Sequence, residues 1–259
     1  MKSPYVIQSS HAARALANLD RDSAHEKYPD GVYVLHPQYR TSQPIKADVL
    51  FVHGLLGAAF KTWRQQDRDE PLGESSTQHD DYTDCWPKAW LAADCPGLRV
   101  ISVEYDTQLS EWKSKCPEDS NRKSMAYRSD ELLQKLKAAG VGERPIIWLS
   151  HSMGGLLVKK ILLIASKDQD MQDIVKNTQG VAFYSVPHFG SRLAEYSVNA
   201  RLFLFPSVEV KELSKDIGIG DLIPVEVNHL NICKPKNKDS IIYRQTLQFI
   251  IDRTFTGKK

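Results

Sequence analysis

The sequence predicts an α/β domain, a mostly parallel sheet with helices on both faces. Three observations predict it. Short, continuously apolar runs rich in β-branched residues recur at Asp48–Val52, Leu98–Tyr105, Pro145–Leu149 and Gly180–Val186. Helix-patterned stretches separate them. One run, Ile146–Ser150, passes directly into Ser152 and then into a further helical pattern. Strands buried on both faces lose the polar alternation of a half-exposed sheet, so this organisation points to parallel pairing between two helical layers.

Taken in order, residues 11–20 (HAARALANLD) place Ala13, Leu16, Ala17 and Leu19 near one helical face. The Ala/Leu pattern resembles the closing helix of an armadillo- or HEAT-type repeat, which cannot bury its face without neighbours. The alternative is an ordinary N-terminal helix packed on the main domain. Residues 1–30 are therefore read as a helical remnant and residues 31–259 as the α/β domain. Val32–His36 opens the domain as a first strand, and Asp48–Val52 follows, ending in His53-Gly54. Residues 64–85 are long, polar and charged, either a solvated insertion or a lid beside the site. Trp86–Ala93 is helical, and Ser129–Ala139 is a helix stopped by Gly140. Met153–Ala165 is apolar on a broad face, much of 191–214 reads as helix, and Ser240–Ile251 closes the domain as another.

Composition narrows the function classes. With 259 residues, 41% of them hydrophobic, the chain can bury one full core. Lys+Arg 34 against Asp+Glu 32, scattered along the chain, lacks the concentrated basic face of a nucleic-acid binder. The four cysteines, Cys85, Cys95, Cys116 and Cys233, have no metal-type spacing; they read as free thiols of a reducing compartment, with a disulfide pair as the alternative. No secretory signal opens the sequence, and no apolar run approaches the roughly 18 to 20 residues that span a bilayer. A soluble or peripheral chain is expected, without metal or organic cofactor.

The chemistry is concentrated at Ile146–Val158 (IIWLSHSMGGLLV). A nucleophilic serine at a strand-to-helix turn needs small residues two positions away, so that the chains pass while its hydroxyl projects above the sheet. The following helix supplies N–H groups that stabilise an oxyanion. The usual G-x-S-x-G pattern has Ser150 in place of its first glycine here. Upstream, Phe51–Gly57 (FVHGLLG) gives the H-G turn that α/β-hydrolases place after an early strand. Leu55 and Met153 N–H groups are then the oxyanion donors, with His53 shaping the loop. The order Ser, acid, His assigns the base to His229, in a polar loop before the last helix. His188 reads as a pocket-closing residue, His151 as a neighbour of the nucleophile, and His11, His25, His36 and His79 as surface or structural. Leu55, Leu56, Phe60, Phe189 and Leu193 flank the motifs and are the expected substrate liners.

Together, FVHGLLGAAFKTW, ISVEYDT, WLSHSMGGLLVKK, FYSVPHFGSRLAEYS and VNHLNICKP resemble the serine-active-site-containing protein family of lipase-like hydrolases, over about residues 10–255. The resemblance implies an intracellular acyl-handling enzyme acting on lipid, phospholipid-type esters, with peripheral membrane contact. It implies association with phosphatidylglycerol remodelling and cholesterol trafficking where endoplasmic reticulum meets mitochondria, and upstream repeats and a membrane anchor. One departure matters. Between Glu212 and His229 the family carries a helix and an acid-bearing strand, whereas this chain has only LSKDIGIGDLIPVEV. That is too short for a parallel strand with its crossover. The sheet is expected to be truncated at that edge, with Asp216, Asp221 and Glu226 the carboxylates left nearby and Asp221 and Asp216 the candidates for orienting His229. Two functions follow: a serine hydrolase or acyltransferase, or an impaired hydrolase-fold scaffold or binding protein.

Overall fold

The computed structural model describes residues 28–39, 41–67, 82–107, 124–186, 200–205, 221–225 and 227–255, with the isolated positions Gln8 and Ala12. The expected N-terminal helix, the middle of the 64–85 loop, Cys116, His188, Phe189, Leu193 and Asp216 lie outside these residues.

The described strands are β1 (Val32–His36), β2 (Ala47–Val52), β3 (Leu98–Val103), β4 (Ile146–His151), β5 (Thr178–Tyr184), β6 (Ala200–Phe205) and β7 (Asp221–Val225). They form one sheet in the order β1-β3-β2-β4-β5-β6-β7. The centre, β3-β2-β4-β5, is parallel, while β1, β6 and β7 are each antiparallel to the strand they join. The helices are α1 (Met125–Ala138), α2 (Met153–Ala165), α3 (Gln172–Lys176) and α4 (Ile241–Thr254). A π-helical turn, Pro87–Leu91, runs on into one α turn, Ala92–Asp94.

Alternate residues of one strand serve different layers, as a pleat requires. Val49 and Phe51 of β2 point to a core shared with Trp86, Trp90, Tyr243 and Ile250. Leu50 and Val52 point to the opposite core, shared with Leu133, Leu157, Ile161 and Ile174. The 87–94 segment and α4 thus cover one face, and α1, α2 and α3 the other. Edge-to-face rings tie α4 to the sheet through Phe51–Trp86 at 5.3 Å and Trp86–Tyr243 at 5.7 Å. Among the described residues no helix is long and apolar enough to cross a membrane.

Three expectations are corrected. The edge of β5 is not left open, because β6 pairs along it with Val181 opposite Phe205 and Tyr184 opposite Leu202. Counting residues excluded another parallel strand with its crossover, but an antiparallel strand needs no crossover and satisfies the same backbone groups. For the same reason residues 200–205, read as part of a helix, form a strand. The start of α1 also moves four residues upstream of expectation, because the Ser124 side chain accepts from Tyr127 N at 3.1 Å and caps the helix. Its predicted end holds, with Gly140 just beyond it at φ +71°.

Candidate active site

The chain leaves β2 for one layer and the neighbouring strand β4 for the other, so the sheet switches direction between them. In open α/β sheets ligands bind in the crevice at the carboxyl ends of such strands. His53-Gly54 follows β2 and Ser152 follows β4 at this point.

Ser152 stands between the last residue of β4 and the first of α2, with φ 53° and ψ −129°. This left-handed conformation costs a non-glycine residue about 1 to 3 kcal/mol and persists only where its surroundings enforce it. Here Ser152 N donates to Tyr184 O at 2.9 Å and Ser150 Oγ to Ala182 O at 3.2 Å, so β5 holds the turn. Three glycines let the backbones close around it. A Cβ on Gly154 would run into the His53 and Val52 carbonyl oxygens, and one on Gly155 into Val186. A Cβ on Gly54 would stand 2.6 Å from the Ser152 Cβ, which shows how closely the β2 turn abuts the serine.

The same turn is pinned almost completely. Leu56 N donates to Thr107 Oγ1 at 3.1 Å, Gly57 N to Gly54 O at 3.0 Å, Ala58 N to Thr62 Oγ1 at 2.9 Å and Ala59 N to Glu104 Oε2 at 2.8 Å. His53 is buried; its Nδ1–H donates to Gly54 O at 2.9 Å, and its ring stacks on Tyr105 at 4.6 Å. Tyr105 in turn donates its hydroxyl to His53 O at 2.7 Å. His53 therefore shapes the loop. Leu55 N and Met153 N find no acceptor among the described residues. Both residues are half-buried, and Met153 directly follows Ser152 at the start of α2.

His229 Nε2 lies 3.0 Å from Ser152 Oγ, within reach for the hydroxyl to donate to the ring. Burial lowers the His229 pKa below the ordinary histidine value, which keeps the ring a base at neutral pH. Asn228 caps the turn that carries it, accepting from Leu230 N and Asn231 N at 3.0 Å each. His151 Nε2 contacts the His229 carbonyl oxygen at 2.8 Å.

The remaining predicted residues are placed less uniformly. Leu56 is 69% exposed, and so is Leu230 at 63%, directly after His229. Phe60, expected as a substrate liner, is buried with its ring 5.4 Å from Tyr33, at the start of the 61–63 turn. Asp221 begins β7 opposite Leu204, which aligns through Ala182 with Leu149 of β4. Cys85, Cys95 and Cys233 are buried free thiols. Among the described residues no group of three or more His, Cys, Asp or Glu is arranged to hold a metal.

This chain is homologous to protein SERAC1 over most of its length. It is 59% identical to the human protein across 96% of this chain and 45% of that protein. Against Bos taurus SERAC1 it is 58% identical, and against the Danio rerio protein 57%, each over 97% of this chain and 46% of the relative. The chain thus spans about half the length of the SERAC1 relatives it matches. The alignment with the human protein covers 299 residues although this chain has 259, so that relative carries internal residues with no counterpart here. No family model matches the chain.

Proposed function

We propose that this chain is an α/β-hydrolase in which Ser152 and His229 transfer an acyl group from an apolar ester to water or a lipid alcohol. The observation that carries the reading is the 3.0 Å approach of His229 Nε2 to a serine held at φ 53° between strand and helix. His229 takes the hydroxyl proton as Ser152 Oγ attacks the ester carbonyl. The tetrahedral oxyanion is received by Leu55 and Met153 N–H at the positive end of α2. As the intermediate collapses, His229 returns the proton to the departing alcohol and the acyl group remains on Ser152. Water or an alcohol then gives its proton to His229 and takes the acyl group by the same steps in reverse.

Leu56 and Leu230, two of the most exposed large apolar side chains among the described residues, lie on the two loops that meet at Ser152. They support an apolar acyl chain or a lipid surface as what the mouth meets. The resemblance to SERAC1-type proteins extends the proposal to phospholipid esters, phosphatidylglycerol remodelling and cholesterol trafficking at endoplasmic reticulum–mitochondria contacts. Hydrolysis of short- and long-chain nitrophenyl esters tests the substrate class. A long-chain preference that falls several-fold in Leu56→Asp and Leu230→Asp supports it, and a preference for short charged acyl groups contradicts it.

A specific observation favours a second reading, an impaired hydrolase-fold binding protein. Strand spacing puts β7 about 14 Å from β4, and the Asp221 backbone pairs at the level of Leu149, below the end of β4 that Ser152 follows. A serine and histidine without an orienting acid keep only residual catalysis, about 10⁴ below a complete triad. The acylation rate of Ser152 separates the two readings.

A further inference from the structure

We propose that His151 is a positioning residue that fixes the base of this site, by donating from Nε2 to the backbone carbonyl of His229. The inference rests on the acyl-transfer reading above and deepens it.

His229 lies on the stretch between β7 and α4, where no sheet ladder or helix holds the main chain. Further along, this stretch is fastened to the 62–86 region. Trp86 Nε1 donates to Cys233 O at 3.0 Å, Gln66 N to Pro235 O at 3.1 Å and Gln65 Nε2 to Lys236 O at 2.6 Å. At residue 229 the fastening comes from the sheet, because the His151 ring reaches its carbonyl at 2.8 Å across 78 positions of sequence. A carbonyl oxygen only accepts, so the proton sits on Nε2 of His151. Burial above all, with the neighbouring His229 adding to it, depresses the His151 pKa to about 3, and the ring is neutral at any ordinary pH. It is a fixed donor that carries no charge against the imidazolium formed on His229 during reaction.

The geometry couples nucleophile and base through one residue. His151 is the last residue of β4, paired with Tyr184 of β5, and Ser152 is its covalent neighbour. The strand therefore sets the position of the serine directly and of the His229 backbone through one hydrogen bond. The two rings sit 4.9 Å apart, so a displacement of one is felt by the other. Misplacing a reacting group by about 1 Å costs on the order of 10²-fold in rate.

The test uses His151→Phe, which keeps a ring and removes the donor, and His151→Gln, whose amide nitrogen is as many bonds from Cα as Nε2. For each, the rate of Ser152 modification by a fluorophosphonate is measured with kcat and KM for an ester and with Tm. The expected result is a fall of about 10- to 100-fold in labelling rate and kcat for His151→Phe, KM within about twofold, and recovery of most of the rate in His151→Gln. Equal losses in both variants, or a wild-type rate in His151→Phe, overturn the inference. Should His151→Phe not fold, His151→Asn takes its place, since its amide is one bond short. A slowed Asn variant beside a near-wild-type Gln variant supports the inference, and equal rates overturn it. A wild-type protein inert to the probe overturns the acyl-transfer reading, and this inference with it.

Discussion

The two ends of β2 and β4 carry polar clusters built to opposite rules. At the amino ends, Asp48 is fully buried and every strong contact is closed. Arg99 donates from Nε and Nη2 to its two oxygens at 2.7 Å each, and Arg144 adds a contact at 3.2 Å. The rest of the Arg99 guanidinium is taken by Ala139 O at 2.7 Å and Gly140 O at 3.2 Å. At the carboxyl ends, the backbone of Ser152 is strained and two N–H groups have no acceptor among the described residues. The first cluster locks β2, β3 and the end of α1 together. The second is strained and less fully closed, as the proposed acyl transfer at Ser152 requires. A buried polar group closed on all sides serves architecture, whereas backbone strain motivates a hypothesis of function.

Substitutions at the two ends should therefore separate activity from stability. The largest effect is expected from His229→Ala, which removes the base. Kcat should fall by about 10⁵ to 10⁶, by analogy with loss of a triad histidine from a complete protease, while the urea midpoint stays close to wild type. A loss of only a few-fold would mean that Ser152 reacts without this base.

Asp48→Asn should do the reverse. Leaving Arg99 buried without its counter-ion costs about 3 to 5 kcal/mol, read from urea unfolding, while kcat per folded molecule changes little. A fall in kcat comparable with that of His229→Ala would erase the distinction between the ends.

The smallest effect is a pH dependence confined to the carboxyl end. The folded pKa values of His151 and His229 are both depressed, so the unfolded chain binds more protons as pH falls below the ordinary 6.5. Stability is then fully present above 6.5 and is lost progressively towards the His151 value of about 3. The rate should rise with pH through an apparent pKa below 6.5, since His229 must be unprotonated to act. Urea midpoints measured between pH 7 and 4 check the first statement and kcat/KM profiles the second. In His151→Gln the stability profile should flatten, and an unchanged profile would place the acid sensitivity elsewhere.

What could be read from the sequence follows the range of the interactions involved. The central strands were legible because their residues are buried on both faces, which writes continuous apolar runs such as Val49–Val52. The Ser152 turn was legible because its sterics act within a few residues, through Gly154 and Gly155. His229 was reached by chain order together with its place in a polar loop before the last helix. By contrast, β6 and β7 were missed because a residue count tests only one connection type, and Ser124 because a single cap outweighed the apolar periodicity of the helix. The contact of His151 with the His229 carbonyl leaves no local trace at all. It depends on two loops brought together by the whole sheet, and a histidine before the serine looks the same with or without it.

The central claim is that Ser152 is a nucleophile served by His229. Mass spectrometry of the protein after reaction with a fluorophosphonate tests it most directly. The account predicts a single adduct on the peptide containing Ser152, displaced to no other residue and formed orders of magnitude more slowly in His229→Ala. An adduct on Ser150 or Ser185 instead, or labelling of Ser152 at the same rate with and without His229, would contradict it.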